Sequence, residues 1–319
     1  MAFRSRIGSP WGRLGCGLLL LVLACSAVAQ DYGDTPYVQT PQNVVDTMLE
    51  LARVGADDYV IDLGSGDGRM VITAAKRYGA RGFGVDLDRR LVALGNANAA
   101  SAGVADRAVF YERDLHDTDV SRATVLTLYL LPEVNLMIRP KLLATLQPGT
   151  RIVSHDYDMG RWPPDYATEI EAPGKTVGAV KTSKVFYWVV PAHVAGRWHW
   201  SVEGNGKSRV FVLDLEQDFQ KLSGTLTMEG HRAALERAKL VGDRIEIAAV
   251  AGTGASQTRY EFSGRIVNHA IEGEGRIRHG GDTRRLPWKA ARIELWDPRH
   301  YALRNMPPCQ EMGVPCGAR

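Results

Sequence analysis

Apolar residues along this chain follow two patterns, and the change falls near residue 191. Between residues 45 and 190, short β-branched runs alternate with stretches whose apolar positions recur at helical spacing. Val44, Val45, Met48, Leu49, Leu51 and Ala52 share one helical face, so a helix precedes the first strand. Tyr59-Val60-Ile61-Asp62-Leu63 is a run suited to a strand covered on both faces of a parallel sheet. A helix through Met70, Val71, Ala74 and Ala75 follows, then a strand at Gly82-Phe83-Gly84-Val85-Asp86 and a helix over 91–100. Further strands are predicted at 109–111, 123–128 and 151–154, with a helix over 134–146 stopped by Pro148-Gly149. Runs at 177–183 and 185–190 predict an antiparallel hairpin at one sheet edge. The alternation predicts an α/β fold, a doubly wound, Rossmann-like sheet of seven strands.

After Pro191 helical periodicity nearly vanishes. Arg197-Trp198-His199-Trp200-Ser201-Val202 alternates with period two, which puts Trp198 and Trp200 on one face. The stretches 210–215, 222–228, 244–247, 260–262 and 271–277 behave alike. Leu222-Ser223-Gly224-Thr225, Leu240-Val241-Gly242-Asp243 and Phe262-Ser263-Gly264-Arg265 recur as turn-and-strand phrases. About eight strands joined by short turns predict a smaller all-β antiparallel barrel or sandwich. The boundary falls between Pro191 and Gly196.

The N-terminus adds a third element. Arg4, Arg6 and Arg13 precede an apolar run over 14–24, and Ser26-Ala27-Val28-Ala29-Gln30 follows, the pattern of a signal peptide cut after Ala29. The run is shorter than the roughly 20 apolar residues of a permanent anchor, so the mature chain is expected to lack a transmembrane span. Export to the periplasm or the medium is expected, with a lipoprotein site at Leu23-Ala24-Cys25 as the alternative. Cys16 and Cys25 lie in that segment, which leaves Cys309 and Cys316 to pair as a disulfide fastening the tail. The organisation is therefore a signal peptide at 1–29, a sheet domain at 30–192, a β-rich domain at 196–297 and a tail at 298–319.

Composition changes this picture little. With 319 residues, 45% of them hydrophobic and 24% charged, the chain has room for two ordinary globular cores. A net charge of +3 is too small to argue for nucleic acid, and none is expected as a partner. The densest basic stretch, Arg284-Arg285-Leu286-Pro287-Trp288-Lys289 with Arg292 beyond it, reads as a solvated face.

The chemistry concentrates at Gly64-Ser65-Gly66-Asp67-Gly68, between a strand and a helix. A chain turning at once from strand to helix needs backbone angles that residues with side chains resist. A ligand lying across the turn also needs close approach to the backbone, and the helix start offers free N–H groups to a carboxylate. The dinucleotide fingerprint wants a small residue where Arg69 stands. Asp62 and Asp67 would repel phosphates, so a cofactor with an ammonium group and no pyrophosphate suits the loop better. Asp86 ends the second strand about twenty residues on, where a carboxylate accepts from ribose hydroxyls; a helix cap is its plainer role. Asp114 stands where the third strand would meet an adenine, with Asp117 and Asp119 close by.

Asp62-Leu63-Gly64-Ser65-Gly66-Asp67-Gly68, Asp86 and Leu146-Gln147-Pro148-Gly149-Thr150-Arg151 resemble the class I, seven-β-strand S-adenosylmethionine-dependent methyltransferases. Thr35-Pro36-Tyr37-Val38, Tyr129-Leu130-Leu131-Pro132 and Ser154-His155 are similar to a subgroup of small protein-lysine methyltransferases. The resemblance covers residues 35–190 and implies S-adenosylmethionine as cofactor, bound by Asp62, Gly64, Ser65, Gly66, Gly68, Asp86 and Asp114. It also implies that Tyr37 folds over the cofactor and that the acceptor is a protein, through lysine, or a small molecule. Methyl transfer needs positioning and exclusion of water above all. Tyr129 is the candidate catalytic group, orienting an acceptor nitrogen or oxygen, with a plain pocket wall as its other reading. His155 and Asp156 could line the acceptor site. An exported, non-catalytic binding protein with Trp198 and Trp200 lining a cavity is the alternative function, and a nicotinamide oxidoreductase is disfavoured by Arg69.

Overall fold

The computed structural model describes residues 37–204 and 207–293; the expected signal peptide at 1–29 and the expected Cys309–Cys316 disulfide lie outside them. Helix α1 (Gln42–Leu51) buries Val44, Val45, Met48 and Leu49, the predicted apolar face. Then come β1 (Tyr59–Leu63), α2 (Arg69–Tyr78), β2 (Arg81–Asp86), α3 (Arg89–Ser101), β3 (Ala108–Glu112) and β4 (Val125–Leu128). Helix α4 (Pro132–Thr145) opens on Pro132, where the missing N–H costs nothing, and is followed by β5 (Arg151–His155), β6 (Tyr166–Glu171) and β7 (Thr182–Val189).

The seven strands form one sheet in the order β3-β2-β1-β4-β5-β7-β6. Its first five members are parallel, and β7 runs antiparallel to both β5 and β6. Chain direction across the sheet reverses between β1 and β4, so a crevice opens at the carboxyl ends of those strands.

The edge hairpin differs from expectation. One continuous strand, β7, occupies 182–189, and its partner is β6, while 177–180 belongs to the connection between them. Gly178 takes φ of +81°, and Val177 and Val180 are exposed, so that apolar run has no sheet to join. Strand β6 is an edge strand with mostly exposed positions and lacks the hydrophobic signature of a buried one.

The second core is an eight-stranded closed barrel: β8 (Gly196–Gly204), β9 (Lys207–Asp218), β10 (Lys221–Met228), β11 (His231–Val241), β12 (Arg244–Ala251), β13 (Thr258–Val267), β14 (Ala270–His279) and β15 (Asp282–Arg292). Among the described residues, five two-residue hairpin turns have their first residue left-handed, at Phe219, Glu229, Gly242, Asn268 and Gly280. Such turns match the twist of the strands they join. Among the described residues, β15 closes on β8 through the pairs Ala291 with His199 and Arg292 with Trp198, and the Ile293 amide donates to the Arg197 carbonyl.

Strand β11 carries helix-forming Ala, Leu, Glu and Lys residues, and pairing with β10 and β12 overrides them. The basic stretch at 284–289 is part of β15, whose Leu286, Trp288 and Ala290 point into the core between solvent-facing charges. Gly224 and Gly264 lie inside strands rather than at turns, and a Cβ on Gly264 would stand 3.1 Å from the Trp288 ring. Trp198 and Trp200 are buried, and Trp200 packs on Phe211, Phe262 and Trp288. They belong to the barrel's packed core.

Candidate functional site

Elements at the carboxyl ends of β1 and β2 build the glycine loop. The amides of Gly64 and Ser65 both donate to the Val85 carbonyl at 2.9 Å, which folds the chain back over β2. Gly64, Gly66 and Gly68 take φ of +78°, +52° and +82°, conformations that cost residues with side chains about 1 kcal/mol or more. Close approach has a different meaning here from the one read in the sequence. A Cβ on Gly64 would strike Leu130, one on Gly66 the Tyr37 ring and one on Gly68 the Phe110 ring, at 2.7, 2.5 and 2.4 Å. The glycines admit the protein's own side chains around the loop.

Asp86 holds the loop from below. Its Oδ2 accepts from the Gly66 amide and its Oδ1 from the Asp88 amide, both at 2.9 Å. Each carboxylate oxygen can accept a further bond, which leaves capacity for two ribose hydroxyls. Capping of α3 falls to Asp88, which accepts from the Arg90 amide. Asp62 is buried in β1 and accepts from the Thr127 hydroxyl at 2.6 Å. Burial pushes its carboxyl up to about 7; the Thr127 bond opposes this, and the charges of Asp86 and Asp67 add to it. A cation beside Asp62 would reverse that shift. The Ser65 hydroxyl is buried without a hydrogen-bond partner among the described residues.

Asp67 is different from expectation. Arg69 pairs with it at 2.6 Å, and hydrogen bonds from Arg69 outweigh burial to hold its carboxyl below the usual range. Arg69 offsets its charge locally, so Asp67 repels phosphate less than the sequence alone suggests. Arg69 also donates to the Thr40 carbonyl at 2.7 Å, and Gln39 reaches Asp67. Residues 37–40 thus strap the loop, with the Tyr37 ring over Gly66. Arg69 counted in the sequence only as a departure from another fingerprint, and its place beside Asp67 was the available signal.

Asp114 lies beyond the end of β3, in a turn where its side chain accepts from the His116 amide at 2.8 Å. The Arg113 amide donates to the Asp86 carbonyl, which ties this turn to the ribose side. Lys141 of α4 clamps the same turn by donating to the carbonyls of Leu115, His116 and Thr118. Asn96 braces β3 through both backbone groups of Phe110. Neither residue stood out in the sequence, because each acts through backbone groups and belongs to no motif.

Tyr129 follows β4, half-buried, with its phenol pushed up to about 12 by burial and by the charge of Asp156. Its ring lies 3.9 Å from the His155 ring and stacks with Tyr157 at 6.4 Å and 18°. His155 is fully buried between Thr40 (Nδ1, 3.2 Å) and Ser183 (Nε2, 2.8 Å). Burial pulls its pKa down to about 4, so it is a neutral bridge between strap and sheet. Asp156 is held by Lys175 at 2.7 Å and by the Lys184 amide. His155 is thus enclosed by the fold and Asp156 engaged by Lys175, while Tyr157 stands beside Tyr129.

These residues fit the cofactor that the resemblance implies. The crevice offers a buried acid for an ammonium, an orphaned hydroxyl, free carboxylate capacity for ribose and a ring over the loop. Residues 62–166 match the ANTKMT methyltransferase domain family. The chain is 44% identical over 137 residues to a protein-lysine N-methyltransferase of Saccharolobus islandicus (strain REY15A), covering 43% of this chain and 85% of that relative. An adenine nucleotide translocase lysine N-methyltransferase of Mus musculus is 34% identical over 130 residues, which cover 40% of this chain and 56% of that relative. A solved RNA methyltransferase from Salinibacter ruber, in complex with S-adenosyl-L-homocysteine, is 50% identical with a TM-score of 0.45, covering 49% of this chain and 96% of that one.

Proposed function

Because the chain belongs to the class I S-adenosylmethionine-dependent methyltransferases, in the protein-lysine methyltransferase-like group, we propose that it methylates lysine side chains of a protein acceptor. The observation that carries this reading is the pair of parallel rings, Tyr129 and Tyr157, beside the glycine loop's crevice. The cofactor supplies a methyl group made electrophilic by a sulfonium. For the acceptor to take that methyl group, its amine must arrive without its proton. A lysine amine ordinarily holds that proton to about 10.4. Desolvation between aromatic faces lowers this value, and the Tyr129 oxygen, held neutral, accepts an N–H bond that aims the lone pair. Asp62 takes the cofactor's ammonium, Ser65 its methionyl part, Asp86 its ribose and Asp114 its adenine, while Tyr37 covers it.

The test incubates the full chain and its Asp86→Ala variant with methyl-labelled S-adenosylmethionine and either denatured protein or RNA. Label recovered as methyl-lysine with the wild-type chain alone is the expected result. Transfer to RNA and not to protein would overturn the acceptor. The N-terminal pattern supports export, in which case mature protein recovered outside the cytoplasm begins at Gln30. A cytoplasmic chain beginning near Met1 would sink that part.

A further inference from the structure

The barrel needs a reason. Most of the Saccharolobus islandicus relative is matched by less than half of this chain, and too little of it remains to hold eight strands. Methyl-transfer machinery of this family therefore does not require a barrel in general.

Two barrel hairpin tips touch the sheet domain. At one, the Gly242 carbonyl accepts from the Ala192 amide, and a Cβ on Gly242 would stand 3.0 Å from Gly149. The other is the β9–β10 turn, Phe219-Gln220, and it reaches into the sheet domain's own core. Phe219 is 2% exposed, and its ring stacks on Trp162 at 5.9 Å and 9°. The Arg139 guanidinium of α4 lies 5.7 Å from the centre of the same ring. The Gln220 amide accepts from the Trp162 indole at 3.1 Å and donates to the Pro163 carbonyl at 2.6 Å. Phe219 keeps φ at +55°, a conformation that a phenylalanine adopts only where its surroundings hold it.

What this turn grips leads to the acceptor side. Arg139 donates to the Met159 carbonyl at 2.6 Å, and Asn135, one helical turn earlier, reaches the carbonyls of Tyr157 and Asp158. The Ser154 hydroxyl takes the Tyr157 carbonyl at 2.6 Å. The carbonyls of Tyr157, Asp158 and Met159 are thus held by α4 and β5 on one side. The far end of segment 157–162, Trp162, is pinned between Trp188 and the barrel's Phe219 on the other. Without Phe219 and Gln220, the Trp162 face and the Arg139 guanidinium lose their cover.

We propose that the Phe219-Gln220 turn is the positioning element of the acceptor-side segment 157–162, so that the barrel sets the place of the Tyr157 ring. This rests on the placement of the acceptor beside Tyr129 and Tyr157. Both residues act through the segment and touch neither cofactor nor acceptor. The turn therefore controls use of the acceptor and leaves the glycine loop alone.

The experiment follows amide hydrogen exchange in the full chain with S-adenosylhomocysteine bound, for wild type, Phe219→Ala, Gln220→Ala and Ile247→Ala. Phe219→Ala keeps the backbone demand and removes only the ring; Gln220→Ala opens no large void; Ile247→Ala weakens the barrel core at a distance. Exchange over 157–165 is expected to quicken at least tenfold in Phe219→Ala and about threefold in Gln220→Ala, with 62–69 unchanged in both. Affinity for S-adenosylhomocysteine should stay within twofold. With poly-L-lysine as acceptor, Phe219→Ala should lower kcat/KM about tenfold, and Phe219→Leu should recover part of it. Unchanged exchange over 157–165, or an equal response in Ile247→Ala, would overturn the proposal. If Phe219→Ala does not fold, Gln220→Ala decides by the same readout. A wild-type chain that labels no lysine counts against the proposed function alone, since the exchange result does not depend on the acceptor.

Discussion

The sheet domain and the barrel satisfy their own packing to different degrees. In the barrel, alternation puts rings inside and charges outside, and Trp200 meets Phe262 and Trp288 edge-on, a favoured arrangement for aromatic faces. At the carboxyl edge of the sheet, three glycines are left-handed, Asp62 is buried at a cost its carboxyl reports, and the Ser65 hydroxyl finds no partner among the described residues. The Trp200 and Trp288 indoles inside the barrel also lack partners among the described residues, so it is the buried acid beside left-handed glycines, and not an orphaned group alone, that marks where a ligand completes the fold. The comparison fails if damage to the barrel core and damage to the loop have the same consequences.

The largest expected effect is on stability. Phe262→Ala empties the middle of the aromatic cluster and should cost about 3–5 kcal/mol, read from denaturant unfolding of the full chain. Affinity for S-adenosylmethionine, measured below the transition, should hardly change. A large loss of affinity would mean that the barrel core and the cofactor site form one cooperative unit. Asp86→Ala should do the reverse. Removing an acceptor of two hydroxyls weakens binding about a hundredfold at charged hydrogen-bond strengths, as calorimetric titration would show. Unchanged affinity would move the cofactor away from this loop.

Asp62 sharpens the comparison through pH. Its carboxyl, raised from 3.8 to about 7 by burial, keeps its proton in the folded chain where the unfolded chain has lost it. Stability from this group is full below about 4 and is lost as pH rises through about 7. Ligand-free wild type should therefore lose thermal stability between pH 5 and 8 by more than Asp62→Asn, whose amide oxygen can still accept from Thr127. With S-adenosylmethionine bound the order should invert, because only the wild type gains an ion pair with the ammonium. A ligand-free wild type that gains on the variant as pH rises would place a cation beside Asp62 already.

Much of this was readable in the sequence, for physical reasons that differ by region. Strands β1, β4 and β5 declared themselves because a strand covered on both faces is mostly apolar along its length. The loop did so because few residues but glycine turn from strand to helix there. Strand β6 stayed hidden because an exposed edge carries no apolar period, and β11 because its residues prefer helix until neighbours pair with them. At the site, Asp62 and Asp86 were visible as carboxylates at strand ends. Thr40 and Lys141 were not, since each grips a partner far away in the chain that only the fold brings near, as Arg69 does in reaching the Thr40 carbonyl. The Phe219-Gln220 turn is the extreme case: two ordinary residues whose meaning depends on another core.

The smallest effect concerns Tyr129, and its size decides the role. Phenylalanine keeps the ring between His155 and Tyr157 and removes only the hydroxyl. Loss of one orienting hydrogen bond costs about 1 kcal/mol, a fall in kcat of less than tenfold. Loss of a proton carrier costs about a hundredfold or more. Burial holds the phenol up to about 12, so a tyrosinate is scarce at neutral pH and the smaller figure is expected. The same shift predicts the pH profile. Rate should rise with pH as the acceptor amine loses its proton, and no second step from tyrosine should enter below pH ~10, with Tyr129→Phe tracing the same curve at lower height. A profile whose rising limb vanishes in Tyr129→Phe would make the phenol the base.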